Sequence, residues 1–151
     1  MKVKSFFLIA FVFLASMLGY FLLNPSYEKS LEAKYYYEIK EYSQAYLLAK
    51  EAYKQDNYNK MASTIMTQST YSLRYITYIQ EAKKYIELIE SMTEDGDIDK
   101  QERAKIRVIA KIMLDSYKKL APSVVVDENL INQAKQYYDK FSKLYQKAHR
   151  R

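Results

Sequence analysis

The chain has no cysteine, no tryptophan and a single histidine, His149. Without a thiol there is no disulfide, zinc-thiolate site, iron–sulfur cluster, cysteine nucleophile or acylated lipoprotein anchor, and one histidine leaves neither a histidine-rich metal site nor a serine–histidine triad. Glycine is confined to Gly19 and Gly96 and proline to Pro25 and Pro122, too few turn-formers for a many-stranded sandwich or barrel. No P-loop, dinucleotide fingerprint or HExxH is present. The carboxylates that suggest a catalytic pair, Asp95, Asp97 and Asp99, sit on a solvated turn, so the chain reads as non-enzymatic and without a cofactor. What remains is an all-α pattern of 151 residues, of which 49% are hydrophobic and 28% charged.

One stretch stands apart. From Ser5 to Leu23, nineteen residues carry no charge, and at about 1.5 Å per residue in a helix they match a hydrocarbon core of roughly 30 Å. Residues 1–24 are therefore expected to form an uncleaved membrane anchor and residues 25–151 a helical domain. The alternative is a removed signal peptide with Lys2 and Lys4 as its basic start. Against it stand the length of the apolar run and the lack of an A-x-A-like site after it. Lys2 and Lys4 weighed against Lys29 and Lys34 lean towards a cytoplasmic N-terminus, which makes this a single-pass protein of the cytoplasmic membrane with a periplasmic or extracytoplasmic domain.

The net charge of +6 includes Lys2 and Lys4, and elsewhere lysine and glutamate are interleaved as on solvated helix faces. A nucleic-acid binder more often has a clustered basic stripe, so no nucleic acid is expected. The basic tail Lys147, His149, Arg150 and Arg151 is expected to complement the end of a helix dipole, contact with anionic lipid being the other reading. Ser26 is expected to cap a helix to about Glu38, and Ser43 a second in which Ala45, Leu48, Ala49 and Ala52 recur at helical spacing. The two should pack as an antiparallel hairpin ending near Asp56 and Asn57. A third helical region runs from about Asn59 to Ser91, with a possible break at 72–74. A fourth spans about Ile98 to Leu120, with Ile106, Ile109, Met113, Tyr117 and Leu120 inward. After an extended Val124-Val125-Val126, Asp127 caps a last helix with Ala134, Tyr138 and Phe141 on one face.

The stretch YYEIKEYSQAYLLAKEAYKQDNYN, residues 36–59 and the alanine at 33 before it, resembles a tetratricopeptide repeat, in which helix pairs stack through small and aromatic residues. Ala33, Tyr36, Ala45 and Ala52 fall on the family's packing positions. Lys29 and Glu32 stand where it has tryptophan and leucine, Ala49 where it has a large aromatic, and Ala82 is placed to begin the second half of another unit, though off the family period. The domain is thus expected to be either a tetratricopeptide-like stack or a small antiparallel bundle with similar hairpin packing. The resemblance implies a groove that takes a peptide or helix from a partner.

Tyrosine is the candidate lining. Twelve of the seventeen tyrosines lie between Tyr27 and Tyr85, and Tyr35, Tyr36 and Tyr37 are consecutive, so they point in three directions around a helix. Tyr35, Tyr36, Tyr37, Tyr42, Tyr46 and Tyr53 are the candidate partner-binding residues. The other reading of these tyrosines is that they replace phenylalanine in a small core with their hydroxyls reaching water.

Residues 91–102, SMTEDGDIDKQE, resemble the second half of an EF-hand loop. Asp95, Gly96, Asp97, Asp99 and Glu102 fall on its fifth, sixth, seventh, ninth and twelfth positions, but Ser91 and Thr93 replace the acidic first half. The competing reading is an acidic turn closed by a capping box from Asp99 to Glu102. The expected function is a membrane-anchored helical adaptor, scaffold or assembly chaperone that binds another membrane or envelope protein and is able to self-associate, with a calcium-responsive helix-loop-helix as the alternative.

Overall fold

The structure, a computed structural model, describes residues 2–93, 98–120 and 124–149, and the side chains of residues 2–4 and 21–23 are not described. Among these residues there are six α-helices and no strand: α1 (Lys2–Leu23), α2 (Pro25–Glu38), α3 (Tyr42–Gln55), α4 (Lys60–Thr93), α5 (Lys100–Lys118) and α6 (Glu128–His149). The chain divides into two compact units, Met1–Thr70 and Tyr71–Arg151, and α4 passes from one into the other.

In the first unit α1 is apolar on every side and covered on none. Phe6, Phe7, Leu8 and Ile9 are consecutive, so they sweep a full helical turn, and all four are about two-thirds exposed, at 69%, 66%, 66% and 65%. Among the described residues no single helix is long and apolar enough to cross a membrane; Ser5–Tyr20 reaches that extent only together with Pro25–Glu38, across a bend of 66°. The side chains at 21–23, the end of the expected span, lie outside the described residues.

The break after α1 is chemical. Pro25 takes the first helical position of α2, where its missing N–H loses nothing, and the Asn24 side chain accepts from Ser26 N at 3.0 Å. The cap is therefore Asn24, not Ser26. Ser26 is buried instead, its hydroxyl donating to Ala52 O across the hairpin at 2.9 Å.

The turn between α2 and α3 is tighter than the polar stretch suggests, and Ser43 does not cap. Lys40 adopts φ 66°, Lys40 N bonds Tyr37 O and Glu41 N bonds Tyr36 O, the paired closure of a Schellman motif, and α3 begins at Tyr42 after Glu41 without a side-chain cap. A left-handed backbone strains any residue with a Cβ. Lys40→Gly should therefore raise the unfolding free energy by about 0.5–1 kcal/mol, the relieved strain less the added freedom of the unfolded chain, read as a higher urea midpoint.

Ala33, Ala45, Ala49 and Ala52 have no solvent exposure, which lets the α2 and α3 axes approach closely, and Ile65 of α4 closes the cluster with Tyr36, Tyr37, Leu48, Met61 and Met66 around it. The position where a tetratricopeptide repeat has a large aromatic is thus filled by a small residue and by Ile65 from the next helix. Lys29, at the tryptophan position, reaches α3 as an ion pair with Glu51 at 2.6 Å. That hydrogen bond and charge hold the Glu51 carboxyl below its ordinary value. Glu51 is exposed and Lys29 half-buried, so solvent screens the pair and it orients the helices more than it stabilises them.

α4 is continuous over 34 residues, which closes the question of a break at 72–74. Nothing between Lys60 and Thr93 removes a backbone donor or opens φ, since the stretch has neither proline nor glycine. Ala82 is buried, but inside this unbroken helix, so no second hairpin of a repeat begins there.

In the second unit Tyr78, Ile79, Ala82 and Ile89 of α4 pack with Ile106, Ala110 and Met113 of α5 and Ala134 and Phe141 of α6. On α5 the expected Ile106 and Met113 are buried, Ala110 joins them, and Ile109 and Tyr117 are partly buried, with Leu120 past the end of the helix. Val124 and Val125 form a turn rather than an extended run, placing Val126 in the core, and Asp127 caps α6 by accepting from Asn129 N at 2.8 Å. Pro122, Arg150 and Arg151 lie outside the described residues.

Candidate functional site

A concave feature of the first unit lies between α2 and the start of α4. Lys34, Tyr37 and Glu38 share a side of α2, being three and four residues apart, and face Lys60, Met61, Thr64, Ile65 and Gln68 across a groove of about 310 Å³. Its floor is apolar, from Tyr37, Met61 and Ile65; its rim is polar, with Lys34 and Lys60 positive and Glu38 negative. The Tyr37 ring is held edge-on against Tyr42, centroids 5.4 Å apart, which fixes the floor. A groove of this size accepts a large side chain or a short apolar stretch, with charge at its edges to set direction.

A buried polar cluster behind the groove positions α4 against the hairpin. Asn59, with no exposure, donates from Nδ2 to Ser26 Oγ and to Ser30 Oγ, both at 2.8 Å, and its Oδ1 accepts from Ala62 N at 3.1 Å. The two hydroxyls are already committed as donors, Ser26 to Ala52 O and Ser30 to Ser26 O. Asn59 thus caps α4 and ties it to α2 and, through Ser26, to the end of α3. Asp56 shapes the approach, accepting from Tyr58 N at 2.9 Å in an Asx turn where the repeat family often puts proline.

The six candidate tyrosines do not come together. Tyr37 lines the groove and Tyr36 packs in the alanine cluster. Tyr42 is 6% exposed and belongs to the core: as the first residue of α3 it is drawn in one turn before Ala45. Tyr35 is 61% exposed, two positions and about 200° around the helix from buried Ala33. Tyr46 and Tyr53 are half-buried seven residues apart on α3, Tyr46 under the Lys50 ammonium at 5.5 Å, and neither lines the groove. The residues missed by the sequence reading, Lys34, Met61, Thr64 and Ile65, share no local pattern with the tyrosines. Only the packing of α4 on α2 brings them into the site.

At the acidic loop the capping box is formed. Asp99 Oδ1 accepts from Glu102 N at 2.7 Å and Glu102 Oε2 accepts from Asp99 N at 2.9 Å. Asp95, Gly96 and Asp97 lie outside the described residues, and among the described residues no three acidic or histidine side chains are grouped to hold a metal ion.

Three tyrosine rings of the second unit form a chain, Tyr78 to Tyr117 at 5.7 Å and Tyr117 to Tyr138 at 4.5 Å. The Tyr78 hydroxyl is buried without a hydrogen-bond partner among the described residues. Burial, and to a lesser degree the neighbouring Tyr117 and Tyr138, push its ionisation well above the ordinary tyrosine range.

The chain matches no protein-family model, no curated protein and no solved structure.

Proposed function

We propose that this chain is a non-enzymatic, membrane-anchored helical adaptor, scaffold or assembly chaperone that docks another membrane or envelope protein in the groove between α2 and α4. The observation that carries the reading is the exposure of α1: an apolar helix uncovered around its whole circumference is out of place in water and in place in lipid. The resemblance of the hairpin to a tetratricopeptide repeat and the apolar floor of the groove support a partner of protein chemistry. The anchor raises the effective concentration of the groove near a membrane-bound partner. The calcium-responsive alternative is not carried further, because Asp99 and Glu102 are bonded to each other's backbone.

The absence of cysteine makes both halves of this reading testable. A single cysteine placed at Tyr58, which is 86% exposed, should resist carbonate extraction with the membrane and react with an impermeant maleimide from the extracytoplasmic side of intact cells. Release into the soluble fraction, or labelling only after lysis, would remove the anchor or its orientation. For the groove, Thr64→Arg changes an exposed residue that lines it and should reduce partner recovery in a crosslinking pull-down from native membranes at least tenfold, while Tyr35→Ser leaves recovery intact. Equal recovery from Thr64→Arg and wild type, with the fold preserved by circular dichroism, would move the docking surface elsewhere.

A further inference from the structure

The end of the second unit, where α4 finishes, α5 starts and α6 finishes, holds two adjoining cavities that the adaptor reading does not use. The smaller, about 260 Å³, is walled by Ile89, Ile98, Ile106, Leu144 and Ala148. The larger, about 590 Å³, is bordered by Lys100, Arg103, Arg107 and His149, with Asp99 beside them. Ile98, Arg103 and Ala148 belong to both, so the apolar slot opens directly beneath the cations. Lys147 stands at the edge of the slot as well.

Among the described residues, positive side chains outnumber the carboxylate at this site, Asp99. Arg103 and Arg107 are four apart on one side of α5, and among the described residues no carboxylate pairs with either, nor with Lys100 or Lys147. The nearest acids in the sequence, Asp99 and Glu102, are bonded into the helix cap. Arg103 Nε donates to Ile98 O at 3.3 Å, which steadies the guanidinium over the slot and leaves its terminal nitrogens available. His149 is packed on Tyr145 with ring centroids 4.5 Å apart, so it too is held at the mouth.

We propose that this end of the second unit binds an anionic amphiphile, its phosphate or carboxylate head on Arg103 and Arg107 and its alkyl chain in the slot between α4, α5 and α6. Arginine is the side chain suited to a two-pronged grip on such a head, and a half-open slot with an aliphatic wall is what an alkyl chain uses and a free inorganic anion does not. The site does not depend on the groove of the first unit or on the anchor.

The test is calorimetric titration of the full chain in neutral maltoside micelles with octyl phosphate, octanoate and inorganic phosphate, with micelle-only titrations subtracted. One saturable site is expected for an octyl ligand, with inorganic phosphate at least tenfold weaker. Tighter binding of octyl phosphate assigns a lipid phosphate and of octanoate a fatty-acid carboxylate, and either supports the site. Arg103→Gln with Arg107→Gln should weaken both octyl ligands at least tenfold. Ala148→Phe, which fills the slot, should weaken them without changing inorganic phosphate. Neutralising Glu94, Asp95 and Asp97, which precede Ile98 in the sequence, should leave affinity unchanged or raise it. Absence of saturable heat, equal affinity in the arginine double variant, inorganic phosphate binding as tightly as octyl phosphate, or loss of binding in the neutralised triple variant would overturn the proposal.

Discussion

Asn59→Ala should lower the unfolding free energy by about 2–4 kcal/mol, the sum of a lost helix cap and of buried hydroxyls deprived of a partner. The side chain has no exposure and makes three hydrogen bonds, one to the first turn of α4 and two to serines of α2. Asn59→Asp separates this network from an ordinary cap. At an exposed helix start aspartate caps about as well as asparagine. Here Nδ2 gives two hydrogen bonds to hydroxyls whose own protons are spent on Ala52 O and Ser26 O, so a carboxylate oxygen would face lone pairs in a buried place. Asn59→Asp should therefore be at least as destabilising as Asn59→Ala at neutral pH. Urea unfolding of the three proteins, followed by helix ellipticity, checks the order; an aspartate variant as stable as wild type would reduce Asn59 to a cap.

Tyr78→Phe should act in the opposite direction, raising stability by about 1–3 kcal/mol, the desolvation cost of a buried hydroxyl without a partner, while the ring keeps its place beside Tyr117. The pH dependence carries the same signature. Burial raises the ionisation of Tyr78, Tyr75 and Tyr117 above the ordinary value of 10. The folded chain therefore keeps protons that the unfolded chain releases near pH 10, so their contribution is intact below about pH 10 and is lost as pH rises beyond it. The wild type should weaken in that alkaline window, and Tyr78→Phe should weaken less. Thermal unfolding between pH 8 and pH 11 measures both. A phenylalanine variant no more stable than wild type at pH 8 would show that the hydroxyl is satisfied.

The features legible in the sequence were those whose partners lie within a turn or two. Asp99 with Glu102 and Asp127 with Asn129 are caps spanning two or three residues, and the helical spacing of Ala45, Ala49 and Ala52 marks a packing face without reference to the rest of the chain. Asn59 gave no such signal, because the serines it bonds are 29 and 33 residues away. Tyr42 was ambiguous for a related reason: an amphipathic ring takes a core or a surface position according to what packs over it, and Tyr37 does so here. The groove required Tyr37 and Ile65 to meet through the α2–α4 contact, which no local periodicity encodes. The open question of a break in α4 fell on Ser72, Leu73 and Arg74, where the chain has no residue that stops a helix.

The setting of Asn59 also bears on how the protein ages. Deamidation turns asparagine into aspartate when the next backbone nitrogen attacks the side-chain carbonyl through a flexible five-membered ring. Asn59 is followed by the first residue of α4, its carbonyl oxygen is bound to Ala62 N and both it and its surroundings are dry. The same bonds that make aspartate damaging at this position therefore slow the reaction that would install it, and the exposed Asn57 two residues earlier should accumulate that chemical lesion first.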